Sequence, residues 1–281
     1  MRPTAVFFWD YDTQWGGDRS RLPGGIKHWG MQEFENTDRL LALHAHHGVK
    51  ACFAVVGSAA LPGDRPYHDP AQIREIHKAG HEIGSHTHVH EWLPGLGWPA
   101  LLGTLKDSKD ALEQCIGASV TTFVPPWNQP FDHVPGGSIS IAERMSVHED
   151  RIDLRRLCTA LQETGYSFCR VAYRSIARNL IERMTGKRID RPERVRTIGG
   201  ITCVRLNTPD GFDEPAIRMV RRCADKGGVV VLHGHPHSIT SGNAQDLRYL
   251  EPLMQEVASL QSSGRMRVVL PRDLVKEQGA A

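Results

Sequence analysis

Apolar and polar positions alternate in blocks along the chain. Residues 4–9 (TAVFFW) form a continuous run of aromatic and β-branched side chains, which predicts a strand buried on both faces. Residues 36–48 (NTDRLLALHAHHG) then switch to a helical pattern, with Asn36 or Thr37 as candidate caps and Gly48 at the expected stop. The exchange continues: strands are predicted within 49–57, 81–86, 120–124, 166–172, 201–206, 229–234 and 266–270. Helices are predicted between them, from Pro70 to Gly80, over 98–117, 153–165 and 214–228, and around 246–260. Several of these helices stop at a glycine just before a strand, which is the mark of βα units around a parallel sheet. No internal repeat or low-complexity linker breaks the pattern. The expectation is an α/β chain forming one domain over residues 1–281, with inserted or long loops at 130–150 and 173–200.

Composition narrows the function classes. Hydrophobic residues make up 40% of the chain and charged residues 23%, the balance of a globular protein with a sizeable core. The net charge of +2 offers no nucleic-acid footprint and no polybasic membrane patch. No apolar run approaches the roughly 20 residues of a membrane helix. The start, MRPTAVFFWDYD, turns acidic too soon for a signal peptide, so a cytoplasmic location is expected. The six cysteines are scattered with no C-x-x-C pair and read as reduced thiols. What stands out is 15 histidines.

In a parallel α/β barrel, function gathers at the carboxyl ends of the strands. After the first predicted strand come Asp10 and Asp12; after the third, His86, His88 and His90; after the fourth, the run Pro125, Pro126, Trp127 and Asn128; after the late strand, His233, His235 and His237. An aspartate and two neutral imidazoles make a good site for a borderline divalent ion such as Zn²⁺, with a position left for water. His86 and His90 are four apart and would share a face if the segment turns helically after Ser85, leaving His88 to point elsewhere. Asp10 and Asp12 are two apart, so both carboxylates could face the ion, one on the metal and one beside the water as general base. Alone, an aspartate after a strand is as often a turn former; it is the recurrence of such groups at strand ends that favours a site.

The motifs resemble those of the polysaccharide deacetylases, family 4 of the carbohydrate esterases. AGHEIGSHTHVH is similar to that family's H-[S/T]-x-x-H metal motif, FFWDYD to a D-x-D form of its first motif, TFVPPWN to its third and GGVVVLHGHPH to its fifth. The resemblance implies a distorted (β/α)7 barrel and metal-dependent removal of an acyl group from a sugar. By that analogy Asp10 is the base, Asp12, His86 and His90 hold one divalent ion (Zn²⁺ first, with Co²⁺, Ni²⁺ or Mn²⁺ as alternatives), and a fifth-motif histidine is the acid. His233 and His235 stay equal candidates for that acid. The metal and backbone N–H groups near the third motif would stabilise the oxyanion.

Two departures stand out. Val124 occupies the position where the family often has an arginine that orients the base, and no counterpart of the fourth-motif aspartate is evident, FCRVAYR being the nearest stretch. Pro126, Trp127, Asn128 and Trp15 are the candidate substrate contacts, with Trp127 either walling an acyl pocket or packing the barrel mouth. His81 is expected to begin its strand, His88 to lie outside the ligand set, the His44 to His47 run to sit as cations at a helix C-terminus, and His237 to cap the segment after it. The leading function is deacetylation of an amino sugar or sugar intermediate in polysaccharide biosynthesis. Alternatives are a deformylase of a carrier-linked formamido sugar, a metal-free cyclic-amide hydrolase, and a non-catalytic sugar-binding protein.

Overall fold

The computed structural model describes residues 1–128, 153–172, 184–185, 191–208 and 211–279. All of the expected loop at 130–150, and most of that at 173–200, lie outside these residues.

The strands are β1 (Thr4–Tyr11), β2 (Cys52–Val55), β3 (Glu82–Ser85), β4 (Thr122–Phe123), β5 (Phe168–Val171), β6 (Arg196–Ile198), β7 (Ile201–Arg205), β8 (Val229–Gly234) and β9 (Arg267–Val268). The helices are α1 (Thr13–Asp18), α2 (Gly30–His47), α3 (Pro70–Lys78), α4 (Trp98–Ile116), α5 (Leu154–Glu163), α6 (Glu214–Lys226), α7 (Leu247–Ser262) and α8 (Pro271–Gly279). The strands pair in the order β6-β7-β5-β4-β3-β2-β1-β8, and β9 pairs the start of β1. All pairings are parallel except the β6–β7 hairpin.

The sheet curls into a distorted α/β barrel, and its last seam is closed by side chains rather than a ladder. Asn207 donates to the Val229 carbonyl at 2.8 Å and accepts from the Val231 N–H at 2.9 Å. The Thr208 hydroxyl reaches the Val231 carbonyl at 2.6 Å, and Glu193 and Val229 exchange backbone hydrogen bonds.

Strand alternation divides the apolar residues into two layers. Ala5, Phe7, Trp9 and Tyr11 join the large core between sheet and helices. Val6 and Phe8 face the barrel interior with Ala54, Val124, Phe168, Val204, Val229 and Val231, and Leu274 of α8 packs into the same cluster. This explains why β1 is apolar without interruption: both of its faces are covered.

Four elements differ from the sequence expectation. Helix α2 begins at Gly30 rather than near Asn36, and Asn36 is buried inside it. Strand β6 lies within the stretch expected to be loop; Gly199 and Gly200, with φ of +55° and +79°, turn it back onto β7. Helix α8 follows the last expected strand, and α1 follows the first.

Candidate active site

The inward row of each strand carries apolar residues through the barrel and polar ones at its carboxyl rim. Val6 and Phe8 lead to Asp10, Phe168 leads to Arg170, and Val229 and Val231 lead to His233. Asp12 follows β1 at the start of α1, and His86 follows β3.

Asp12, His86 and His90 are all buried, and one ligating atom from each lies within 4.8 Å of the others. Asp12 Oδ1 is 3.4 Å from His86 Nε2 and 3.6 Å from His90 Nε2. It has no hydrogen-bond partner among the described residues. The His86 Nδ1–H donates to the Val124 carbonyl at 2.7 Å, which leaves Nε2 as the lone pair facing Asp12. Burial holds the His86 imidazole neutral, down to about 4, and holds His90 well below its ordinary value. Burial also pushes the Asp12 carboxyl well above the carboxylate range; His235 opposes this, and the charges of Glu33 and Asp10 add to it. Two neutral imidazoles and a buried carboxylate without a counterion fit a divalent transition ion.

The two histidines do not meet through a helical turn. Residues 86–92 are irregular, with Thr87 at φ +66° and His90 at φ +59°. A left-handed turn folds His90 back over His86, ring centroids 5.1 Å apart. Gly16 makes room for Asp12, since a Cβ there would lie 2.6 Å from the Asp12 Cβ.

Asp10 is held by Arg170, which the sequence did not single out. The guanidinium donates to both carboxylate oxygens, at 2.8 and 2.6 Å, and both residues are buried. Burial raises the Asp10 carboxyl, but Arg170, His86 and His235 together bring it well below the usual range. An arginine thus reaches Asp10 from β5, while position 124 carries a valine. Its signal in the sequence is one arginine on the inward row of an otherwise apolar strand. Arg170 also donates to Asn128 Oδ1 at 2.8 Å, and Asn128 Nδ2 is 3.5 Å from His233 Nε2.

The two acid candidates are placed differently. His233 is buried against Asn128. His235 keeps 27% of its side chain exposed, has Nδ1 3.2 Å from Gln245 Oε1, and aims Nε2 at Asp10 Oδ2, 3.9 Å away. Gln245 Oε1 also accepts the His235 backbone N–H at 2.8 Å.

Pro126 is buried, and Trp127 and Asn128 adopt left-handed φ of +53° and +56°. The Trp127 ring packs edge-on to His90 at 4.3 Å and to Trp92 at 5.2 Å, and Arg21 stacks over Trp92 at 3.8 Å. Trp15 instead packs against Tyr67 and His68. His88 lies outside the cluster, with Nε2 3.2 Å from the Ser58 hydroxyl. His81 precedes β3 and accepts from the Ala51 N–H. His44 is not a cation at a helix end: it is buried and neutral, held down to about 3 chiefly by burial, and accepts from the Trp9 indole N–H at 2.8 Å. His237 does not cap the next segment; it is buried, stacked on Trp29 at 4.2 Å and 3.6 Å from Glu33.

Residues 30–134 match the family model described as polysaccharide deacetylase, a span that holds His86, His90 and the Trp127 turn but neither Asp10 nor His233. A Mycobacterium smegmatis structure, described provisionally as a polysaccharide deacetylase, superposes with a TM-score of 0.65 at 18% identity, over 99% of this chain and 90% of that one. A peptidoglycan N-acetylglucosamine deacetylase superposes at 0.50 and 14% identity, over 97% and 88%. A carbohydrate esterase family 4 pseudoenzyme from Bacillus anthracis superposes at 0.50 and 13% identity, over 98% and 66%. No curated protein matches the sequence. Residues 30–134 of the chain thus match the polysaccharide deacetylase model, and the fold is shared with these structures. Among the described residues no helix is long and apolar enough to cross a membrane.

Proposed function

We propose that this chain is a metal-dependent hydrolase that removes an N-acyl group, acetyl in the first instance, from an amino sugar or sugar intermediate of polysaccharide biosynthesis. The observation that carries the reading is the buried Asp12, His86 and His90 set beside a carboxylate, Asp10, clamped by Arg170. A divalent ion held by those three residues supplies Lewis acidity toward the acyl carbonyl and the attacking water. The nitrogen-rich donor set favours Zn²⁺ over Mn²⁺.

Asp10 takes a proton from the attacking water. Arg170 keeps this base ionised and fixes both of its oxygens. His235 gives a proton to the departing nitrogen as the C–N bond breaks, so the products are a free amine and a carboxylic acid. The Gln245 contact orients His235 with Nε2 toward the reacting centre. His233 positions Asn128, which in turn braces Arg170. Trp127, between His90 and Trp92, walls the side of the pocket that takes the acyl methyl.

The test is release of acetate by Zn²⁺-loaded protein from N-acetylated oligosaccharides and nucleotide-linked sugars, with N-formyl sugars in the same panel. Asp10→Asn should retain the metal and lose roughly 10²–10⁴-fold in kcat. Full activity in that variant would contradict the assignment of the base. Metal-loaded wild type that cleaves no acyl sugar would favour a sugar-binding role.

A further inference from the structure

Glu33 is a buried acid in the first turn of α2, outside every motif that the fold's activity uses. Its Oε2 accepts the Thr13 N–H at 2.8 Å. Thr13 directly follows the ligand Asp12, is fully buried, and has φ of +53°. A β-branched residue held in the left-handed region sits against its own preference and persists only where its surroundings fix it.

An acid in a first helical turn also suits the helix dipole, but an exposed position serves that equally well. Glu33 is instead placed inside, against the turn that follows β1. Its own N–H donates to the Trp29 carbonyl at 2.9 Å, and Trp29 stacks on His237, which lies 3.6 Å from Glu33 Oε2. Three residues on, along the same helix face, Asn36 donates to the Pro236 carbonyl at 2.9 Å and to the Thr240 hydroxyl at 3.0 Å. Helix α2 therefore touches both sides of the site: the turn carrying Asp12 and the loop carrying His235.

We propose that Glu33 is a positioning residue for the metal centre: its Oε2 locks the left-handed Thr13 turn that aims the Asp12 carboxylate at His86 and His90. The acceptor, not the charge, is what matters. The inference rests on Asp12, His86 and His90 holding a divalent ion. Outer partners of this kind typically change metal affinity by about 10–100-fold.

The experiment measures Zn²⁺ affinity by competition with a chelating dye for wild type, Glu33→Gln, Glu33→Asp and Glu33→Leu. Thermal melting of the metal-free forms is followed in parallel. Gln keeps an oxygen at the same reach, so Glu33→Gln should bind within about threefold of wild type, while Glu33→Leu should lose about 10–100-fold. Asp keeps the charge but withdraws the acceptor by one methylene, so Glu33→Asp should behave like Glu33→Leu. If Glu33→Leu does not fold, the Gln and Asp variants decide alone. Wild-type affinity in Glu33→Leu would overturn the proposal, as would wild-type affinity in Glu33→Asp with loss in Glu33→Gln. Either result would leave the metal reading standing. Wild-type protein that takes up no Zn²⁺ would overturn both.

Discussion

The Asp10–Arg170 pair is the residue-scale centre of the account. Both groups are buried, so each is tolerable only because of the other. Arg170→Met would leave the Asp10 charge unpaired, and should cost about 3–5 kcal/mol in chemical denaturation. Adding Asp10→Asn should recover part of that loss, whereas additive effects would argue against direct coupling. The two acid candidates separate by the same kind of measurement. His235→Ala should lower kcat by roughly 10²–10⁴-fold. If His233→Ala does this and His235→Ala does not, the roles are reversed. His44 gives a pH test away from the site. Its folded value of about 3 lies below the ordinary 6.5, so unfolding takes up a proton as pH falls through that window. Its contribution is complete above pH 6.5 and is lost toward pH 3. His44→Gln, which can still accept from Trp9, should flatten the decline by up to about 1.4 kcal/mol per pH unit. An unchanged slope would mean that other groups dominate. At this scale the ligand candidates were legible because a metal set needs unusual residue types at strand ends. Arg170 and Glu33 were not, because an arginine in a strand and a glutamate in a helix are common until the fold shows them buried.

At the scale of elements, period and glycine stops located most strands and helices. Strand β8 has the limits expected from VVVLHG. The misses have local causes. Strand β6 has three residues, too few to show an alternation. Helix α2 starts before the expected cap, and Glu33 in its first turn meets the Asp12 turn and His237 rather than the start being set by a capping side chain. The path from His86 to His90 reads as helical by spacing, yet depends on two left-handed residues that i, i+4 periodicity cannot reveal. Close approach of elements gives a further test. A Cβ on Gly57, after β2, would lie 2.5 Å from the Ser108 Cα of α4, a backbone atom that cannot swing aside. Gly57→Ala should therefore destabilise the fold by about 1–3 kcal/mol, read from the denaturant midpoint. A neutral outcome would show that α4 can shift away from the sheet.

At the scale of the whole molecule, the barrel brings residues from β1, β3, β5 and β8, more than 200 positions apart in the chain, to one rim. The resemblance in sequence foretold this convergence and the distorted barrel, and the structural neighbours share that fold. The side-chain closure of the β7–β8 seam was not foreseeable, because Asn207 and Thr208 look like ordinary residues after a strand. Everything proposed about chemistry depends on a metal at that rim. The direct measurement is elemental analysis of purified protein after Zn²⁺ loading and desalting, wild type beside His86→Ala and Asp12→Asn. About one divalent ion per chain is expected in wild type, with most of it lost from both variants at unchanged folded content. Stoichiometric metal that survives both substitutions, or no metal in wild type, would contradict this expectation.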